Sequence, residues 1–328
     1  MNDGPEEFCP YVGLQPFGEQ DRDYFKGRTR DQKVIASNLF ASNLTVLYGA
    51  SGVGKSSVLL AGVVPALRAS PNTAVVVFRD WAQPGFLQDL KRACLEAVAR
   101  VKPGAALPAI ELPFDELLRQ AAQTLRITVL VILDQFEEYF LYHPESEQGN
   151  PFDEEFARAV NSSEADLGFL IALREDGLAR LDRFRHRIPG LLSNTVRLRH
   201  LDEAAARDAI RKPLEDVFNA RFPERATVVE PALETALIEE VRGRRVGLTA
   251  GAGKAAGGGD AADIETALLQ LLLTRLWKAE PWTAARPRVL RLQTLHDMGG
   301  AEEVVERHLG EILGGLSERQ TELCARIF

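Results

Sequence analysis

The feature that most restricts this chain is Gly49-Ala50-Ser51-Gly52-Val53-Gly54-Lys55-Ser56. It lies between a short apolar run, Leu44-Thr45-Val46-Leu47-Tyr48, and a helix-forming run that begins Ser57-Val58-Leu59-Leu60-Ala61. The spacing G-x-x-x-x-G-K-S holds at every fixed position. Strand, glycine loop and helix is the setting that gives the pattern physical meaning. Glycines let the backbone curl until several N–H groups converge on phosphate oxygens. The helix start behind them adds unpaired donors and a positive end of about half a charge. Gly49, Ser51, Gly52, Val53, Gly54, Lys55, Ser56 and Ser57 are therefore expected to form a phosphate site. Lys55 would reach the terminal phosphates as a mobile cation, and the Ser56 hydroxyl would ligate Mg²⁺.

A second anchor lies further along the chain. Ile127-Thr128-Val129-Leu130-Val131-Ile132-Leu133 is a strand-forming run that ends in Asp134 and continues Gln135-Phe136-Glu137-Glu138. An apolar strand ending in an acid, downstream of a glycine loop, is expected to hold Mg²⁺ through Asp134. Many ATPases carry a water-polarising glutamate directly after that acid. Here the position is Gln135, so the role falls to Glu137 or Glu138 or is weak, and one of the two acids serves only the helix start. Gly168-Phe169-Leu170-Ile171-Ala172-Leu173 reads as a further strand ending at Arg174. That cation can sense a γ-phosphate or pair with Glu175 or Asp176. The run from Arg180 to Arg187 reads as a solvated basic face, with an arginine finger for a neighbouring subunit as the alternative.

Strands at 44–48, 74–78, 127–133, 168–173 and 195–198 alternate with helices at about 29–43, 57–67, 84–101 and 114–125. In the last of these, Phe114, Leu117, Leu118, Ala121, Ala122 and Leu125 make one apolar stripe. Five alternating strands predict an α/β fold, a P-loop NTPase with a five-stranded parallel sheet flanked by helices and the site at the strand carboxyl ends. Beyond residue 200 the alternation stops. Helices are expected from Asp202 to Lys212, where Pro213 interrupts, and at 231–242 and 263–279, so an all-α lid domain follows. Residues 247–263 read as a glycine-rich surface loop, and Ser317-Glu318-Arg319-Gln320 as a capping box opening a last helix. The expected domains are 1–200, 201–315 and, at 316–328, the start of a further, winged-helix-like module cut short.

The net charge of −8 argues against DNA or RNA as a direct partner. No apolar run reaches the ~20 residues that span a bilayer, the N-terminus is acidic and polar, and three scattered cysteines suggest no disulfide framework. These features point to a cytoplasmic protein without a membrane partner. Tyr24-Phe25 before Gly27-Arg28 reads either as a core plug or as one wall of a base pocket with Arg28 near the nucleotide.

Several segments together resemble the novel STAND NTPase 1 domain of the STAND class, signal-transduction ATPases with numerous domains. They are Cys9 to Phe17, Tyr24-Phe25-Lys26-Gly27-Arg28, Gly49 to Ser57, Leu133 to Glu138, Leu173 to Asp176 and Leu269-Gln270-Leu271-Leu272-Leu273-Thr274-Arg275-Leu276-Trp277, in that order. The resemblance implies a regulatory switch that is closed on ADP, opens on ATP, self-associates and triggers an effector, in bacterial signalling or antiphage defence. It implies ATP/ADP and Mg²⁺ as ligands, and effector and sensor domains outside this sequence. It also implies base and ribose contacts from Phe25, Gly27 and Arg28, and a sensor role for Arg174. A nucleotide-binding interaction module without useful hydrolysis, and a small-molecule phosphotransferase, are the competing readings. The base-reading Asn-Lys-x-Asp of GTPases does not occur.

Overall fold

Runs that are apolar on both faces become strands buried on both faces, as a parallel sheet covered by helices requires. The computed structural model describes residues 8–145, 149–162, 166–242, 264–282, 287–317 and 319–320. Strands β1 (Leu44–Gly49), β2 (Thr73–Phe78), β3 (Thr128–Leu133), β4 (Leu167–Arg174) and β5 (Thr195–Arg197) form one five-stranded sheet in the order β2-β3-β4-β1-β5. Every pairing is parallel. Register aligns Gly49 with Arg174, and Leu133 with both Phe78 and Ile171. The phosphate loop, Asp134 and Arg174 therefore all leave the sheet at its carboxyl edge.

Alternation along the strands divides the core. Val129, Val131 and Leu133 join Phe169, Ile171 and Leu173 in a cluster completed by the helices Phe86–Val101, Phe114–Leu125, Phe136–Tyr142 and Pro151–Asn161. Leu47, Leu130, Ile132 and Leu170 are equally buried but lie outside that cluster, as the pleat requires. Trp81, fully buried, is the aromatic hub of the cluster. Its ring meets Phe78 at 5.0 Å, Phe136 at 5.1 Å and Tyr139 at 5.5 Å between centroids.

The helix after the glycine loop is not uniform. It starts as Lys55–Ser57, widens to a π turn over Val58–Val63 and recovers α geometry over Val64–Arg68. Pro65 explains the widening: it has no N–H to donate and its ring clashes with the carbonyl four residues back. The Val64 N–H reaches Leu59 O, five residues back. Pro213 behaves similarly. The expected interruption is absent, because Glu203–Lys212 runs on through a π segment, Pro213–Phe218.

The basic run 180–187 also departs from expectation. It lies largely in a 3-10 helix, Glu175–Phe184, and Arg183 is not solvated. It forms a buried ion pair with Asp153 at 2.7 Å and donates to the His143 carbonyl. The Tyr139 hydroxyl donates to the other Asp153 oxygen at 2.6 Å. A buried pair is held by all its hydrogen bonds together, and losing one partner strands the other charge.

Backbone packing divides the chain into two bodies. One comprises Phe17–Arg22 and Arg28–Arg199. The other takes residues from His200 onward together with the described stretch 8–16 and Asp23–Gly27, so much of the N-terminal segment expected in the first domain packs with the second. In this second body Tyr11 donates its hydroxyl to Ile210 O, and Phe8 stacks with Phe218. The helix Thr266–Ala279, apolar nearly all round, is buried as expected. The body is not wholly helical. Strands β6 (Thr227–Val229) and β7 (Arg288–Leu290) pair in parallel, and the Asn219 amide clamps the Thr227 backbone at 2.8 and 2.9 Å. The Gln320 side chain accepts from Ser317 N–H, one half of the predicted capping box. The glycine-rich stretch of 247–263 lies outside the described residues, as does the chain beyond 320.

Asp153→Ala is expected to destabilise the first body by ~3–5 kcal/mol, because Arg183 stays buried without its counter-ion. Urea unfolding followed by tryptophan fluorescence measures this, and a loss under ~1 kcal/mol would mean the pair is solvated.

Candidate functional site

The site is built from the glycine loop outward, and all of the following contacts lie within the first body. Gly54 sits at φ 95° and Gly52 at φ 73°, the left-handed region that side chains resist. Gly49 is needed for a different reason: a Cβ there would lie 2.5 Å from the Leu198 carbonyl oxygen. The Lys55 ammonium donates to Gly49 O and Ala50 O, both at 3.0 Å, so it rests across the mouth of the loop. Burial lowers the Lys55 pKa, and Glu137 and then Asp134 oppose that shift. Val53 is buried and Ser51 exposed. The Ser57 hydroxyl accepts from Phe17 N–H at 3.2 Å, which ties the loop helix to the segment Phe17–Arg22.

Asp134 stands at the end of β3 with 1% of its surface exposed. Its N–H donates to Phe78 O at 2.8 Å, so strand pairing continues through it. Its carboxylate accepts from the Ser56 hydroxyl and from the Gln135 N–H, but burial outweighs both and raises the pKa. Oxygen Oδ2 is buried without any partner. A carboxylate oxygen takes more than one donor, and an orphaned one at this depth is costly. The residues fit Mg²⁺: Asp134 Oδ2 and the Ser56 hydroxyl are hard oxygen donors brought together behind the phosphate loop. Among the described residues no cluster of three or more acidic, histidine or cysteine side chains forms a metal cage. Magnesium commonly takes one or two protein oxygens and completes its shell with phosphate and water.

The next residue turns the chain sharply. Gln135 lies in the left-handed region, φ 53° and ψ 40°, with its side chain exposed. Glu137, one turn later, accepts the Arg174 N–H on Oε2 at 3.3 Å. Glu138 lies among negative groups: burial, then Glu137, Asp134 and Asp80 raise its pKa. The Arg174 guanidinium makes a bidentate pair with Asp176, at 3.1 and 2.8 Å, so of the two sequence readings the structure displays the pairing.

Arg28 is 5% exposed, and its donors go to protein. Nη2 donates to Val53 O at 2.9 Å, and Nη1 donates to Arg199 O at 2.7 Å and to Asp31 at 3.0 Å. Gly27 and Phe25 fall in the second body. There Gly27 has φ 83°, and a Cβ would meet Ala205 O at 2.4 Å, so its glycine is required by packing.

Sequence reading missed Trp81. Its indole N–H donates to the Asp134 carbonyl at 2.9 Å, and its own carbonyl bonds the His143 ring at 2.7 Å. A large aromatic three residues beyond the end of β2 was the available signal.

Comparison with known proteins agrees with this geometry. The chain resembles the Walker-type ATPase PABY2304 of Pyrococcus abyssi with a TM-score of 0.57 at 16% identity, covering 95% of this chain and 79% of that one. Weaker likenesses are to the Aeropyrum pernix ORC2 protein in ADPNP-ADP complexes (TM-score 0.48, 16% identity, 88% of this chain and 71% of that one) and to Cdc6p of Pyrobaculum aerophilum (TM-score 0.46, 15% identity, 88% and 69%). No curated protein matches the chain. The fold is that of a P-loop ATPase, and among the described residues no helix is long and apolar enough to cross a membrane. A family model matches residues 10–328, and the chain belongs to the novel STAND NTPase 1 family.

Proposed function

We propose that this chain binds ATP and ADP with Mg²⁺ and acts as a slow, regulatory ATPase switch, with residues 201–315 as the part that responds. The observation that carries the proposal is the orphaned Asp134 Oδ2 beside the Ser56 hydroxyl, behind a glycine loop with Lys55 at its mouth. When bound, Mg²⁺ would offset charge on the β- and γ-phosphates. The loop amides would hold the phosphates, and Lys55 would exchange two carbonyls for phosphate oxygens. Glu137 is the better candidate for polarising the attacking water. It is the charge acting most strongly on Lys55, and the Arg174 N–H positions its carboxylate. Glu138 has the raised pKa, which by itself would make it the stronger base, so the choice of Glu137 rests on the positioning of its carboxylate. The exposed, left-handed Gln135 leaves no carboxylate directly after Asp134, which supports slow turnover. That observation also favours the second reading, a nucleotide-binding module without hydrolysis. Self-association, effector activation and a place in bacterial signalling or antiphage defence extend the proposal by family likeness.

Three outcomes are expected. Asp134→Asn removes a charge that the fold disfavours, so hydrolysis with Mg²⁺ is lost while the unliganded protein melts a few degrees higher at neutral pH. The sign follows from the raised pKa: ionisation of Asp134 lowers stability as pH rises through its folded pKa. The gap between variant and parent should therefore close as pH falls into the carboxylate range. Calorimetric melts at several pH values test this, and a destabilised variant would contradict it. Glu137→Gln should lower kcat by ~100-fold with ADP affinity kept, whereas Glu138→Gln should change it less than about threefold. Equal effects would remove the distinction, and no turnover in the parent would favour the interaction module.

A ligand shifts a two-state equilibrium only through unequal affinity for the states. Arg174→Ala should therefore bring ATP and ADP affinities together and blunt any ATP-dependent change in sedimentation. A variant that still separates the two nucleotides as the parent does would exclude Arg174 as the sensor.

A further inference from the structure

We infer that Arg28 is a positioning residue for the phosphate loop rather than a contact for base or ribose. The inference rests on the phosphate-loop reading above. Three observations carry it. The guanidinium is buried and donates to the backbone carbonyls of Val53 and Arg199 and to Asp31. Val53 is the residue between the two left-handed glycines, Gly52 and Gly54. Fixing its carbonyl on Arg28 fixes which way the flanking peptide planes face, and so where the loop N–H groups point. Arg199 directly follows Leu198, whose N–H donates to Tyr48 O and whose carbonyl packs against Gly49. One planar group thus ties the tip of the loop to the strand end that supports its base.

The chain path adds a second consequence. The backbone passes between the two bodies four times, and two of these crossings, Gly27 to Arg28 and Arg199 to His200, end on the residues that this guanidinium joins. A phosphate that orders the loop therefore also favours the bonded arrangement of Arg28 and Arg199, without any contact of its own to either. Lysine cannot replace this group, because an ammonium lacks the planar fork that spans separated acceptors.

The test separates loop positioning from base contact by using a ligand with no base. Binding of Mg-tripolyphosphate and of Mg-ATP is measured by thermal shift and calorimetry for the parent, Arg28→Lys, Arg28→Met and Asp31→Ala. Asp31 is half-exposed, so its variant keeps the fold if the Arg28 variants lose it. The expected result is a loss of about tenfold or more for both ligands in Arg28→Lys and Arg28→Met, and a smaller parallel loss in Asp31→Ala. A loss confined to ATP, with tripolyphosphate unchanged, would overturn the inference and return Arg28 to the base and ribose. Full rescue by lysine would reduce the role to simple charge and overturn it as well, as would unchanged binding of both ligands. Lys55→Ala serves as the control for the underlying reading. If it binds both ligands like the parent, the phosphate-loop assignment itself fails, whatever Arg28 does.

Discussion

A carboxylate held almost wholly out of water with too few donors is the constraint on which the rest of the first body turns. Asp134 continues β3 in the sheet, because its N–H is bonded to Phe78 O, so it cannot swing to solvent without breaking strand pairing. The helix after the glycine loop supplies the Ser56 hydroxyl and the turn after β3 the Gln135 N–H, and Oδ2 is left bare. The cations that act on it, Lys55 and Arg79, only partly offset the burial. An isolated fold would gain by exchanging this residue for a neutral one. A cation arriving from the loop side, as proposed above, would give Oδ2 the partner that the fold withholds.

The turn after Asp134 follows from the same constraint. A left-handed residue other than glycine costs about 1–2 kcal/mol. At Gln135 that conformation aims the N–H back at the Asp134 carboxylate and starts the helix Phe136–Tyr142. It also sends the Gln135 side chain outward. The next carboxylate along the chain is Glu137, which the β4 main chain meets at Arg174. Trp81 holds the arrangement from beneath through the Asp134 carbonyl and the rings of Phe136 and Tyr139.

Much of this was legible in the sequence because it depends on short-range chemistry. The five strands, the helix Phe114–Leu125 and the glycine loop announce themselves by apolar runs, a 3.6-residue stripe and fixed spacing. What was illegible depends on tertiary geometry. Arg183 sits in a run of arginines that reads as a solvated face. Only the fold shows that the 3-10 helix turns this one inward onto Asp153, forty residues from the His143 carbonyl it also bonds. The fate of Pro213 was misjudged because a helix can pass a proline by widening to a π turn instead of ending. β6 and β7 are three residues each, too short for a period of two to register. Arg28 reads beside its sequence neighbour Phe25, whereas the two backbone carbonyls it bonds are 25 and 171 residues away.

Two arginine–aspartate pairs in this body show how burial divides structure from response. Arg183–Asp153 is about 5% exposed on both sides and shares a tyrosine hydroxyl, so rearranging it would leave bare charges in a dry core. Arg174–Asp176 has similar bidentate geometry, but its side chains are 40% and 61% exposed. Exposed pairs of that kind contribute about 0–1 kcal/mol, which a charge-assisted bond to phosphate can match or exceed. Arg174 is also held at its backbone by Glu137 and aligned with Gly49 across the sheet, so its side chain can exchange partners while its main chain stays fixed. A sensor needs that combination: an anchored origin, a weak resting partner and a stronger one available only in the ATP state. The pairing with Asp176 is therefore compatible with a sensing role, because a cation already committed to a strong partner could not report the γ-phosphate.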